Sequence, residues 1–428
     1  DGTIKVNGKT VRKILVGGKE FFGNDQNMSM KNLPAEIIDK VKTYDKQSDF
    51  SRITGIDDGE EETVLDLTIK KGFQQGWFGN IDAAYGTEER YSGRAMLNRF
   101  SDTFQSNVIG SGNNTGSNGN ATNRQIGGRL VFDKKNIDFG GNIQYNYNKT
   151  DSRTYSSSQN FISTSASFSN SRNTSTNKNK NLSSDFRVEW TIDSLTTLLF
   201  QPRISGGNSN STSGSASATF NDDPYQNGIT DPLSQIADIN KRIKINENAS
   251  KNWTEGENYN LSGSLMLNRR LGGGPWFGPS AVTGSSGRNI TLRINGTLSE
   301  NESKNFNWSN VIYHQRNDST DLTYRHRNNP SSNKNYSISL SYSEPILRNL
   351  FAQVNYSYNY SKRHSDGQTY DFAKVDSIGQ ELWDNYGQYG MLAPNYFEFL
   401  SDSLSRYTDN INKTHNIDVT MRYTTELL

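Results

Sequence analysis

A hydrophobic period of two residues, repeated along most of the chain, constrains this sequence more than any other feature. From Leu182 the even positions read Leu182, Ser184, Phe186, Val188, Trp190 and Ile192, while the odd positions carry Ser183, Asp185, Arg187, Glu189 and Thr191. Successive side chains of a strand point to opposite faces, so this segment has one apolar, aromatic face and one charged face. The same split recurs in Trp77, Gly79, Ile81, Ala83 and Tyr85; in Ile126, Gly128, Leu130 and Phe132; and in Ile137, Phe139, Gly141, Ile143, Tyr145 and Tyr147. It continues through Tyr259, Leu261, Gly263, Leu265 and Leu267; Ile290, Leu292, Ile294, Gly296 and Leu298; and Tyr336, Ile338, Leu340 and Tyr342. Val354, Tyr356, Tyr358 and Tyr360, then Ile417, Val419, Met421 and Tyr423, close the series. Strands of about ten to fourteen residues are longer than the usual five or six, and a Tyr-rich apolar face is unlike the aliphatic inner face of a soluble sandwich.

Composition decides which solvent that face meets. Of 428 residues only 32% are hydrophobic, whereas soluble domains hold roughly 45–50% apolar residues with Gly included. Disorder does not explain the deficit, because 21 Tyr, 20 Phe and 6 Trp at a net charge of +1 are the opposite of an aromatic-poor, highly charged chain. The absence of Cys excludes a disulfide scaffold, thiolate metal sites and thiol nucleophiles. Lys and Arg number 46 against 45 Asp and Glu, which gives no long-range field for nucleic acid. No run of about 18 apolar residues offers a membrane-crossing helix. The start, Asp1-Gly2-Thr3, carries no signal-peptide pattern and reads as a mature or truncated chain. The class that combines low mean hydropathy with a strong period of two is the all-β transmembrane antiparallel β-barrel.

Connections follow the same logic, since such barrels pair short turns at one end with long loops at the other. Residues 133–136, 193–196 and 344–349 read as short turns. The stretches at about 150–180, 207–257 and 363–413, rich in Ser, Asn and Thr, read as long extracellular loops. Up-and-down alternation calls for an extra strand near Leu322, Tyr324 and His326. The tally is then roughly fourteen strands, give or take about two. Trp190, Phe200, Tyr147 and Tyr360 suit aromatic girdles at the two membrane interfaces.

The first seventy residues have a different grammar. Ile4, Val6 and residues 11–16 read as short strands around an Asn7-Gly8 turn. Residues 32–41 read as a short helix with Pro34 in its first turn and Ile37, Ile38 and Val41 on its apolar face. Residues 63–69 form a strand leading to Gly72. The expected organisation is an α+β unit over 1–72 followed by barrel over 73–428.

Three stretches of this unit carry a resemblance. Asp1-Gly2-Thr3-Ile4-Lys5-Val6-Asn7-Gly8-Lys9, Ile14-Leu15-Val16-Gly17-Gly18-Lys19-Glu20-Phe21-Phe22 and Leu33-Pro34-Ala35-Glu36-Ile37-Ile38-Asp39-Lys40-Val41 resemble the later part of the plug domain of TonB-dependent outer-membrane receptors. Thr54-Gly55-Ile56-Asp57-Asp58-Gly59-Glu60, Leu67-Thr68-Ile69-Lys70-Lys71-Gly72 and Gly76-Trp77-Phe78-Gly79-Asn80 are similar to the branch common in Bacteroidetes-type bacteria. The resemblance is specific over residues 1–100 and rests on barrel pattern alone beyond them. It departs from the family at Val41-Lys42-Thr43-Tyr44-Asp45, where an Ile-Glu-Val stretch and a Gly-Pro are usual. It implies a barrel of about 22 strands in the full protein, a plug motif that includes Leu33, Pro34, Ile37 and Val41, outer-membrane lipid around the barrel, and a TonB-type energy-coupling partner.

No catalytic constellation stands out. His314, His326, His364 and His415 are scattered and read as surface or lumen-facing strand residues rather than ligands. The acidic run Asp57-Asp58-Gly59-Glu60-Glu61-Glu62 lacks the alternating ligand spacing of a calcium loop and reads as a solvated turn. Neither a cofactor nor a metal is called for. One loop is distinctive: Tyr370, Phe372, Trp383, Tyr386, Tyr389, Tyr396, Phe397 and Phe399 place too much aromatic surface in one segment to leave wet, since each ring buries about 150–250 Å². That loop should fold over the barrel mouth, bind a ligand or pack on a partner. The reading is a transporter for a scarce solute (siderophore, glycan or peptide), with Arg187, Glu189, Asn142 and Gln144 lining the lumen or holding the plug. The alternative is a receptor-like barrel used as a structural or assembly subunit with surface lipoproteins or export machinery.

Overall fold

The computed structural model describes residues 4–6, 8–20, 35–55, 59–73, 75–116, 120–162, 165–271, 288–347, 350–373 and 396–423. The N-terminal elements are β1 (Lys5–Val6), β2 (Lys9–Thr10), β3 (Lys13–Val16), β4 (Lys19–Glu20), β5 (Ile38–Gln47), a short helix α1 (Asp49–Thr54) and β6 (Glu61–Ile69). β1 and β2 form a hairpin in which Gly8 takes φ +79°, a value open to glycine at little steric cost. The other four strands form one mixed sheet in the order β4-β3-β6-β5, with β3 parallel to β6. The helix expected over 32–41 is a single 3-10 turn, Ala35–Ile37, followed at once by β5. Ile37 is buried and Val41 is exposed, while Leu33 and Pro34 lie outside the described residues. The β-branched residues Ile38, Val41 and Thr43 favour a strand, and they pair with β6.

The remaining strands are β7 (Gly76–Tyr85), β8 (Tyr91–Phe100), β9 (Phe104–Asn113), β10 (Asn120–Lys134), β11 (Ile137–Ile162), β12 (Ser165–Asp193), β13 (Thr196–Phe220), β14 (Lys244–Arg270), β15 (Asn289–Tyr313), β16 (Ser319–Asn328), β17 (Ser331–Leu347), β18 (Leu350–Asp371) and β19 (Arg406–Tyr423). They make one antiparallel sheet of 13 strands. The extra strand near Leu322 exists as β16, but it is not a separate traverse. Lys304 faces Asn328 and Asn301 faces Ser331 in one unbroken register, so β16 and β17 are a single descending limb interrupted where Pro330 has no N–H to give.

Cross-strand register fixes the two faces. Phe132, Phe139, Val188, Phe200, Leu265, Ile294, Ile338 and Tyr358 lie on one continuous row. Residues on this outer face stay open: Ile81 is 82% exposed and Ile417 72%. The apolar belt ends abruptly, because the row Tyr145, Leu182, Gly206, Tyr259 is followed by Lys180, Asn208, Glu257 and Glu302. At its lower edge stand Trp190, Leu198 and Leu267. The belt on β12 from Leu182 to Ile192 thus has the span that a barrel strand needs to cross a bilayer, about 9–11 residues.

The stretches expected as loops are mostly strand. β11 and β12 stay paired up to Ile162 opposite Ser165, and among the described residues only 221–243, 372–373 and 396–405 of the other two lie outside the long strands. These extensions alternate polar with polar and so carry no hydrophobic period, while Ser and Thr side chains and complete ladder hydrogen bonding keep them extended in water. β12 has 29 residues, about 95 Å of strand at roughly 3.3 Å per residue, far more than an apolar band of about 25 Å requires. Residues 221–243 fold back on the outer face through Phe220, Ile229 and Ile239, and Arg172 pairs with Asp231 at 2.5 Å.

Candidate functional site

The N-terminal sheet and α1 pack on the face opposite the belt. At one end, Val11, Ile14, Val16, Leu65, Leu67 and Ile69 share a core with Met96, Phe100 and Ile109 of β8 and β9. At the other end, α1 is aimed by its caps. Ser48 Oγ accepts the Ser51 N–H at 2.9 Å, and Gly55, at φ 73°, returns its N–H to the Ser51 carbonyl, so both ends of this six-residue helix are closed. That geometry presents Asp49 and Arg52 on one side and Phe50 and Ile53 on the other.

The charged side meets β12. Arg187 reaches Asp49 at 2.9 Å and Glu189 at 2.5 Å, while Arg52 reaches Glu189 at 2.6 Å and Asp49 at 3.1 Å. The result is a closed ring of two cations and two anions, to which Gln201 adds a bond to Asp49 at 3.2 Å. Desolvation pushes the Asp49 carboxyl up, but the charge and hydrogen bonds of Arg187 and then Arg52 outweigh it and hold the carboxyl at about 2. On the apolar side Ile53 is buried against Leu199 and Met266, with Phe50 beside them. The Arg293 guanidinium lies 4.7 Å from the Phe50 ring. Arg270 donates to the Ile53 carbonyl at 3.2 Å and Asn289 to the Thr54 carbonyl at 3.3 Å, supplying donors to the carbonyls that a helix end leaves open.

Between the two contacts lies a cavity of about 310 Å³, bordered by Lys19, Glu20, Arg52, Arg129, Asp138, Asn142, Asp185 and Arg187. Arg129 donates to the Glu20 carbonyl and to Gln105. An interface of ion pairs, hydrogen bonds and small apolar contacts holds one geometry, yet its polar groups can exchange partners for water. Such contacts can part without unfolding the sheet. Of the expected lumen residues, Arg187 and Glu189 hold α1, Asn142 borders the cavity, and Gln144 bonds Asn146 at 3.3 Å. Their partners Asp49 and Arg52 escaped sequence reading, although Ser48 and Gly55 flank them as caps.

The aromatic residues singled out in the sequence are elsewhere. Tyr370 and Phe372 are buried with Trp253, Phe306 and Tyr324 at the top of β14, β15, β16 and β18, on the outer face. Tyr370 stacks on His326 with centroids 5.8 Å apart, and Tyr396 meets Tyr370 edge-on at 4.9 Å. Phe397 is exposed, and Trp383, Tyr386 and Tyr389 lie outside the described residues. Among the described residues no cluster of His, Cys, Asp and Glu has the makings of a metal site.

No protein-family model matches the chain, and no curated protein does either. Solved structures with a likeness to it include the pyoverdine outer membrane receptor FpvA from Pseudomonas aeruginosa PAO1 bound to pyoverdine, at 9% identity and a TM-score of 0.20, covering 86% of this chain and 69% of that one. The ferric yersiniabactin uptake receptor FyuA from Yersinia pestis gives the same four values. The siderophore receptor PirA from Pseudomonas aeruginosa stands at 10% identity and a TM-score of 0.19, over 85% of this chain and 88% of that one. At such scores the likeness carries no argument, and the functional reading rests on the residues of the interface.

Proposed function

We propose that the chain acts as an outer-membrane transporter of the TonB-dependent receptor type, with residues 1–72 as the plug and 73–428 as the barrel wall. One observation carries the reading: the sheet is bare and apolar on one face, while the opposite face is charged and occupied by the N-terminal unit through the Asp49–Arg187–Glu189–Arg52 ring. A continuous exposed apolar belt larger than a few hundred Å² marks an interface, and its strand-length height suits lipid. A wide barrel needs its lumen filled to keep a membrane sealed, and a seal of exchangeable polar contacts suits a plug that must move. Energy for that movement would come from an inner-membrane partner of the TonB type pulling on the plug, as the resemblance implies.

Growth of a deletion strain on single candidate solutes tests the proposal. The expected result is a growth defect on one solute, restored by the gene and abolished by dissipating the proton gradient. Normal growth on every siderophore, glycan and peptide supplied, together with a stoichiometric partner purified independently of energy coupling, would replace transport with an assembly role.

A further inference from the structure

On the outer face, the first side chains beyond the apolar belt are sorted by charge. The last apolar or aromatic outer residues of β10, β11 and β12 are Ile126, Tyr147 and Leu182, and the next outer positions are Arg124, Lys149 and Lys180, with Lys178 one step further along β12. On β14 and β15 the sign is reversed: Tyr259 and Leu298 give way to Glu257 and Glu300, and Glu302 follows. β13 separates the two sectors with Gly206, Asn208 and Asn210. Lys149 and Lys178 lie directly opposite each other, an arrangement that costs stability unless an anion sits beside them. The protein supplies little of that. From the belt up to the level of Asp151, the outward positions of β10–β13 hold those four cations and this one carboxylate, which pairs with Lys149 at 2.6 Å. Arg124, Lys178 and Lys180 are exposed and form no ion pair among the described residues. The Arg124 guanidinium lies over the Tyr147 ring at 5.8 Å.

The height of the cations points to the anion that completes them. Lys180 and Lys178 stand two and four residues past Leu182, about 7 and 13 Å along the strand. A tilt of about 45° turns this into roughly 5 and 9 Å above the last apolar side chain. Headgroups fill about 5–8 Å beyond the hydrocarbon on each side of a bilayer, and a Lys stem lets its charge adjust in height while its methylenes stay on apolar surface. The cations therefore stand at headgroup level, where each Lys or Arg is drawn to anionic lipid. Directly beneath them Ile126, Ile143 and Leu182 are 63%, 50% and 48% exposed. A phosphate with acyl chains attached satisfies both halves of this surface, the charged rim and the apolar wall below it. A free phosphate satisfies only the rim.

We infer that Arg124, Lys149, Lys178 and Lys180 form a binding site for a lipid with a phosphate headgroup, its acyl chains lying on the belt beneath; the inference rests on the transporter reading, in which this belt faces lipid, and adds a selective contact to it. Because the chain has no Cys, a bimane dye on Ser184→Cys, beneath the cations on β12, or on Leu261→Cys, beneath Glu257 on β14, reports the lipid at each place. The full chain is reconstituted in dioleoylphosphatidylcholine vesicles that contain either acyl-brominated phosphatidic acid or acyl-brominated phosphatidylcholine as quencher. At Ser184→Cys phosphatidic acid should be preferred about fivefold or more, and at Leu261→Cys that preference should vanish or reverse. Lys149→Gln, Lys178→Gln and Lys180→Gln together should bring the preference at Ser184→Cys close to unity. Lys149→Arg, Lys178→Arg and Lys180→Arg should keep it, and so should millimolar inorganic phosphate in the buffer. Equal quenching by the two lipids at Ser184→Cys, a preference that survives the Gln substitutions, the same preference at Leu261→Cys, or its loss to free phosphate would overturn the inference and leave the transporter reading standing. If neither lipid quenches either dye, the belt does not face lipid and both readings fall.

Discussion

Glu189 is the residue on which the interface turns, because it accepts from both Arg52 and Arg187. These side chains are partly solvated, so their pairing is weaker than that of a fully buried pair. A double-mutant cycle of Arg52→Gln and Glu189→Gln, read by hydrogen exchange of α1, should give a coupling of about 1–2 kcal/mol. A value within error of zero would mean that the ring does not hold the helix. Asp49 adds a pH dependence with a defined sign. Its folded pKa of about 2 lies below the ordinary 3.8, so its contribution is complete above the unfolded value and is lost as pH falls through the folded one. Protection of α1 should therefore be insensitive to this group from pH 7 down to about 4 and decline between about 4 and 2; Asp49→Asn should shrink that decline, leaving the part that Glu189 contributes. Sequence reading found Arg187 and Glu189 because they interrupt an apolar alternation. It missed Asp49 and Arg52 because a six-residue helix shows too little periodicity to reveal which side chains share a face.

Among the elements, α1 and the β7–β8 pair are the most sensitive. Ile53 is 5% exposed between Leu199 and Met266, and Ile53→Ala should destabilise docking by about 2–4 kcal/mol, seen as faster proteolysis between residues 47 and 60. Gly79 lets β7 approach β8 so closely that a Cβ would collide with the Met96 carbonyl. Gly79→Ala should therefore loosen this pair by about 1–3 kcal/mol, measured as exchange of the β7 amides, and unchanged exchange would show that the strands can separate without loss. The strands of the apolar belt were legible because an apolar face backed by a polar one writes a period of two. Their extensions were not, since water on both sides erases it: residues 150–162 and 244–257 read as loop yet complete the ladder. The short helix expected over 32–41 failed for a related reason, as Ile37, Ile38 and Val41 fit a helical spacing while the branched side chains of Ile38 and Val41 and the waiting edge of β6 favour a strand.

For the whole molecule, the solvent that meets each face decides what the sheet does. As a transporter, it must turn the belt face to lipid and the opposite face to water and the N-terminal unit. Because the chain has no Cys, single cysteines can be placed at will and carry nitroxide labels without background. In reconstituted outer-membrane lipid, labels along residues 337–340 should alternate, with Ile338 and Leu340 accessible to dissolved oxygen and Ser337 and Ser339 to a water-soluble nickel chelate. Labels at Thr176, Lys178 and Lys180 on the outer face should report water, placing the membrane boundary near Leu182. Equal aqueous access at residues 337–340, or lipid access that continues past Lys180, would contradict the account.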